Sequence, residues 1–478
     1  MKTVNNRKPL ALATGLLSAA LILTGCSDGS DGTDLSDLRV VHTVKDAPPV
    51  NIRINSRTEI SNLDYAESSG FESVRSGTKT VTVEAIVPGG NLDVIVVNNF
   101  DFEKDERYNI FAVNDTAAIE ALVVQESTAN PAIDQVAIAV VHASTAVGLV
   151  DVYVTAPGVP LASVDPNFSF DFKGVIDAGA LPVGEYQIRV TVSGSKVPAF
   201  DSGVVDLAGF GGEKLLIAAI STTSDTEQLA SPVKLLVAAD AGQVTLLDAG
   251  TNVGAKIVHL SPDAGTAAGG PVEVFAESAS LGGEVEIIDA FSYTDIEMAA
   301  DMYLDVPAGD YVFKVAPDTD TSGDAVYTSP SVTLETGQEY TAIAAGYVLT
   351  TPAFDLLFTA DDNRSVVTQV SVKIVHGAPA AGTVDVFVTP AGDFTTADVE
   401  AGLAGDPLLD GFAFADITDY VAVAPGSYDI RVVPEATGTT AINVEGFALA
   451  AGTVATVIAR EPIDVGVPAD FGLVVLTN

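Results

Sequence analysis

Alternation of apolar and polar residues is the dominant pattern of this chain, and it recurs. VNIRI at 50–54, VDVYV at 150–154, VEVFA at 272–276 and VDVFV at 384–388 each place apolar residues on one side and polar ones on the other, the period of a half-buried strand. A glycine phrase follows each of them, SGTKTVTV, VGEYQIRV, AGDYVFKV and PGSYDIRV. There Gly77, Gly184, Gly309 and Gly426 serve as turn residues leading into another alternating strand. A turn plus an apolar strand comes next, clearest in LETGQEYTAIAAG at 334–346 and LAAGTVATVIAR at 449–460. Each cycle closes on an aliphatic strand: ALVV, KLLVAAD, DLLFTADD and FGLVVLTN. Helical periodicity is scarce, and TADVEAGLAG at 397–406 predicts one short helix at most.

Every cycle begins with a histidine phrase: LRVVH ending at His42, IAVVH at His142, AKIVH at His259 and VKIVH at His376. These are all the histidines of the 478 residues, and they lie 100, 117 and 117 residues apart. The spacing predicts four modules at 38–126, 134–240, 250–363 and 368–478, joined so briefly that they form a string of neighbours. Many short strands with Gly, Pro or Asp turns predict an all-β chain of four tandem β-sandwich modules, immunoglobulin- or transthyretin-like. The modules are too long for propeller blades, which take about 40–50 residues.

In a regular strand His42 shares a face with Val40, while Arg39 shares the other with Val41. The same phase puts His259 with Ile257 and His376 with Ile374, opposite Lys256 and Lys373. An inward imidazole that hydrogen-bonds a turn is the expectation for His42, His142, His259 and His376. One histidine per module makes a poor metal site. With no G-x-S-x-G elbow and no histidine outside the phrase, no catalytic residue is assigned and a non-enzymatic role is expected.

The N-terminus adds an address. Lys2, Arg7 and Lys8 precede an apolar stretch from Leu10 to Leu23, which fits a secretory signal and is short of the roughly 20 residues of a membrane span. It ends in L-T-G-C at Cys26, which resembles the lipobox of bacterial lipoproteins. The resemblance implies a signal peptide at 1–25, lipid attachment at Cys26 and an acyl anchor in the bilayer, with Ser27 rather than Asp favouring the outer membrane. Cys26 is the sole cysteine, so it has no intramolecular disulfide partner. Residues 26–37, rich in Ser, Asp and Gly, are expected to be a flexible tether.

Charge narrows the partners. Losing Lys2, Arg7 and Lys8 with the signal takes the formal charge from −42 to −45, which repels nucleic acid. Hydrophobic residues still make up 47% of the chain, enough for real cores. Among acidic segments PDTDTSGDA at 317–325 is the sharpest metal candidate. Asp318, Asp320, Ser322 and Asp324 resemble the start of a calcium loop, but its twelfth position, normally Glu, is Ser329. A solvated hairpin tip is the simpler reading, and calcium is the one cofactor entertained. The chain has no tryptophan, which disfavours a conventional sugar site, and Tyr186, Tyr311 and Tyr428 at a repeated turn-strand position are expected to be packing residues.

The ordered phrases VVH-x-SPDA, V-D-V-Y/F-V, P-x-G-x-Y-x-h-x-V and G-x-x-Y resemble the bacterial domain-of-unknown-function family DUF4397, over nearly all of residues 38–478. Module three is close, with VHLSPDA at 258–264 and VPAGDYVFKV at 306–315; module one departs most, with Lys79 in place of the tyrosine. The resemblance implies a mainly β, extracytoplasmic module and no established activity. The expected function is that of a lipid-anchored envelope spacer, scaffold or binding protein with envelope or extracellular protein partners. A surface adhesin or calcium-stiffened stalk is the alternative, and an envelope enzyme or sugar-binding protein stands behind both.

Overall fold

The computed structural model describes residues 34–298, 303–318, 321–463 and 471–477. Each module is a sandwich of two sheets, eight sheets in all among the described residues. In module one the histidine strand Leu35–His42 pairs antiparallel with Glu67–Ser68 and Glu72–Arg75, and parallel with Arg107–Val113, beside which lies Glu120–Glu126. The second sheet runs Arg57–Leu63, Val50–Ile54, Gly77–Ala85, Leu92–Phe102, all antiparallel.

The other modules repeat the plan. The histidine strands Gln135–His142, Val253–Leu260 and Val370–His376 lie parallel to Lys214–Ser221, Glu339–Ala345 and Val454–Arg460. Parallel neighbours arise because the chain leaves for the second sheet and returns by a long connection, which a tight hairpin cannot do. The inward face of each histidine strand meets the alternating strand of the opposite sheet. In module one Leu38 and Val40 pack with Val50, Ile52 and Ile54. In module two Val136 and Ile138 pack with Val150 and Val152.

Several boundaries differ from the expectation. The first strand starts at Leu35, inside the predicted 26–37 tether, because residues 35–37 find backbone partners on both sides and Ser36 is buried against Ser76. Module two does not stop at 240: Gly242–Leu246 turns back and pairs with Val233–Ala239. The 397–406 segment supplies a helix at Thr396–Glu400, held by a Thr395–Asp398 capping box. Two more short α-helices, Asp225–Ala230 and Ala264–Ala268, lie in connections that carry too few turns for helical periodicity to show.

Candidate functional site

The four histidines occupy equivalent positions at the ends of their strands. All are at most 2% exposed. Nε2 of His42, His142 and His376 donates to the carbonyl six residues on, Pro48 at 3.1 Å, Gly148 at 3.0 Å and Gly382 at 2.8 Å. Nδ1 of His42, His259 and His376 accepts from the backbone N–H two residues on, each at 3.3 Å. That acceptor role places the proton on Nε2. Burial holds His42 and His259 down at about 4 and lowers His142 and His376 as well, so the rings are neutral donors.

An aromatic ring stands edge-on to each histidine at 6.2–6.4 Å: Tyr65, Phe172, Tyr293 and Phe414. The residue after each ring, Ala66, Lys173, Thr294 or Ala415, has φ of +60° to +76° and donates its N–H to the histidine carbonyl. The repeated tyrosines have a comparable local job. Tyr186, Tyr311 and Tyr428 each reach back four residues to a carbonyl, at 2.6–2.8 Å, pinning the turn before their strand.

The opposite face of the histidine strands does not meet solvent. Val41, Phe111 and Val113 of module one form a single core with Val141, Leu216, Ile220 and Leu236 of module two. Val258, Ile343 and Leu357 of module three do the same with Val375, Ile458 and Leu476 of module four. The modules are therefore joined in pairs, face to face, through equivalent sheets. The aromatic beside the histidine marks the pairing: tyrosine in modules one and three, phenylalanine in two and four. Tyr65 donates its hydroxyl to the Ser221 carbonyl of module two, and Tyr293 donates to the equivalent Glu461 carbonyl of module four at 2.9 Å.

Buried charges line both joints. In pair one–two, Glu126 receives Arg39 at 2.8 Å and Arg107 at 3.1 Å, with Lys214 of module two at 3.8 Å. Arg107 also reaches Asp240 of module two at 2.6 Å, and Arg39 donates to the Ala239 carbonyl at 3.3 Å. The Phe71 ring lies against both guanidinium groups, 4.3 and 3.7 Å away. In pair three–four, Lys373 of module four donates to Thr359 at 2.8 Å and to Asp361 at 3.3 Å, both of module three. Asp361 also accepts from Tyr303 at 2.9 Å and from Tyr420 at 3.4 Å. Burial lowers Lys373, Arg39 and Lys214 and raises Tyr303 and Tyr420. Arg39 and Lys373, placed by strand phase opposite the histidine side, are thus interface residues, and Lys256 is buried as well, 4.0 Å over the Tyr303 ring.

The two pairs also touch. Buried Glu339 of module three accepts from the backbone N–H of Thr226 in module two at 3.2 Å. Arg364, between modules three and four, donates to the Ala47 carbonyl at 2.7 Å and pairs with Asp64, both in module one. Val367 donates its N–H to the Asp46 carbonyl at 3.0 Å. The expected string of neighbours is thus closed by contacts between its first module and its last joint. At the two–three joint Gly337 has φ +74°, and a Cβ there would fall 2.2 Å from Leu247.

Cys26 lies outside the described residues, as does Asp320 of the calcium candidate. Ser322–Asp324 forms a short 3-10 turn in which Ser322 donates to Glu284, a carboxylate already paired with Lys314. Among the described residues the carboxylates that do converge are Glu273, Glu286 and Asp289, whose oxygens lie within 4.8 Å of one another. Glu286 and Asp289 are exposed, and an acidic cluster of this kind is common without an ion.

A family model described as Domain of unknown function (DUF4397) matches residues 36–153, 255–387 and 389–478. Among curated proteins no sequence matches. Of solved structures, the Bacillus anthracis TIE protein is 11% identical, with a TM-score of 0.13 over 86% of this chain and 66% of its own. The chain thus spans just under two thirds of that protein. A proposed cell adhesion protein from Bacteroides ovatus ATCC 8483 is 13% identical, with a TM-score of 0.15 over 48% of this chain and 97% of its own. Another, from Bacteroides fragilis NCTC 9343, is 9% identical with a TM-score of 0.12, over 44% and 83%. Likeness at these scores carries no argument about the task.

Proposed function

The chain belongs to the DUF4397 family, and from that premise we propose that it is a non-enzymatic scaffold of the bacterial envelope, anchored by lipid at Cys26. Its four modules act as one stiff body. The observation that carries this reading is the shared core within each pair, where Val41 packs with Val141 and Val258 with Val375. A flexible chain of beads has no use for such cores. The cations are spent in the same way: of 22 lysines and arginines, Arg39, Arg107, Lys173, Lys214, Lys234, Arg364 and Lys373 touch a neighbouring module. Their use at the joints leaves the exterior dominated by carboxylates, which keeps the body soluble and repels anionic partners. Such a protein works by display, holding an acidic surface at a fixed distance from the bilayer.

Cell fractionation with surface proteolysis tests the reading. The protein should sediment with membranes, Cys26→Ser should release it, and accessibility on intact cells then separates an exposed adhesin from a periplasmic scaffold. Wild-type protein in the soluble fraction would contradict the anchor, and conversion of a specific small substrate would contradict the non-enzymatic role.

A further inference from the structure

The sandwich of module three is hollow. An apolar cavity of about 270 Å³ lies between its sheets, against about 110 Å³ in module two and about 60 Å³ in module four. The repeat explains the difference residue by residue. Two before the register partner of each histidine, modules one, two and four carry Ile110, Ile217 and Val457, and module three has Ala342. Four before the histidine they carry Leu38, Ile138 and Val372, and module three has Ala255. At the fifth position of the alternating strand they carry Ile54, Val154 and Val388, and module three has Ala276. All three alanines line the cavity. Each lacks two or three carbons that the other modules use to fill the same space, and the core is split in consequence. Module two has one continuous cluster between its sheets, but in module three Ala276 and Tyr311 belong to a separate cluster from Ile257 and Phe291.

A second departure falls at the same place. Thirteen residues separate His259 from Val272, where eight separate the histidine from the alternating strand elsewhere; the surplus forms the helix Ala264–Ala268. The carbonyl that satisfies Nε2 of His42, His142 and His376 has no counterpart here, and among the described residues Nε2 of His259 has no hydrogen-bond partner. His259 is 2% exposed, lines the cavity, and accepts from Ser261 at Nδ1, so its proton sits on the unpartnered nitrogen. A void of this size is destabilising when empty, and His259 lines it. Three truncated columns of the repeat thus face the same space as one unpartnered ring nitrogen.

We propose that module three binds, between its sheets, one small apolar molecule carrying a single hydrogen-bond acceptor, such as a cyclic ketone or a short ester, with the acceptor on Nε2 of His259. An apolar cavity of about 150 Å³ admits benzene, and drug-sized ligands need about 300 Å³ or more, so the occupant is a single ring or a short branched chain. This goes beyond the scaffold reading and stands independently of it.

The test uses the full chain with cyclohexanone and methylcyclohexane as probes, read by isothermal titration and by melting temperature. Cyclohexanone should bind saturably, one per chain, about fivefold more tightly than methylcyclohexane, the difference a neutral hydrogen bond makes. His259→Phe should abolish that preference. Filling the cavity with module two's residues, Ala255→Ile with Ala276→Val and Ala342→Ile, should abolish binding of both probes. Should the triple variant fail to fold, Ala276→Val alone should weaken both. Absence of saturable binding to the wild-type chain overturns the proposal, as does binding that the folded filled variants leave unchanged.

Discussion

The joint between modules one and two and the joint between modules three and four use the same backbone and different charges. In both, the tyrosine beside the first module's histidine donates to the carbonyl two residues beyond the register partner of the second module's histidine, Ser221 or Glu461. In both, the last strand of the first module ends in a buried carboxylate that receives the second module's lysine: Glu126 with Lys214, Asp361 with Lys373. Around that centre the two part. Glu126 shares two arginines and an outlying Asp240, a spread network with partly exposed members. Asp361 holds one lysine, with side chains 3% and 1% exposed, and completes its shell with tyrosine hydroxyls. The geometry of the pair therefore resides in the apolar face and the backbone, and the charges are interchangeable means of satisfying what that face buries.

The largest effect should come from breaking the common element. Ile343→Asp puts a carboxylate into the fully buried three–four core and should cost upwards of about 5 kcal/mol, with the radius of gyration growing in scattering as the pair opens. Ile220→Asp should do the same to pair one–two. A smaller loss tests the charges. Asp361→Asn leaves Lys373 buried without its anion and should cost about 3–4 kcal/mol in chemical denaturation, and adding Lys373→Met should restore much of it. If the single and double variants are equally unstable, the charge is more than a satisfied partner.

Acid should weaken both pairs alike, since each contains a histidine held at about 4, His42 and His259. The ordinary value of 6.5 applies to the unfolded chain, which therefore binds more protons between pH 6.5 and 4. Stability is full above that window and falls as the pH drops through it, by about 3 kcal/mol per histidine. His259→Gln should flatten one proton's worth of that slope in a pH series of melting curves. The smallest effect is Tyr65→Phe or Tyr293→Phe, each removing one hydrogen bond across a joint, about 1 kcal/mol by denaturation.

Much of this was legible in the chain. The four phrases mark the strands, and strand phase places Val40, Ile257 and Ile374 on the histidine side, where the structure has them lining the sandwich interior. Phase gives a side but not what lies beyond it. It sets Arg39 and Lys373 opposite the histidine side, and only the structure shows that this face meets another module. The alternation of Tyr65, Phe172, Tyr293 and Phe414 was there to be aligned, in LDYAE, FDFKG, FSYTD and FAFAD, and it encodes the pairing. The segments around it differ in length, so no fixed spacing marks it. The alanine columns of module three were visible in the same way, but only register shows that Ala255, Ala276 and Ala342 face one space. No local pattern marks Arg364, whose partners lie 300 and 317 residues away.

The shared cores make the pair of modules the unit of folding. Hydrogen exchange of the full chain, with module one weakened by Ile52→Ala in its own interior, tests it most directly. The account predicts that protection falls in module two as well, in Lys214–Ser221 and Val233–Ala239, and far less in Val454–Arg460 of module four. Unchanged protection in module two, with the loss confined to module one, would contradict it.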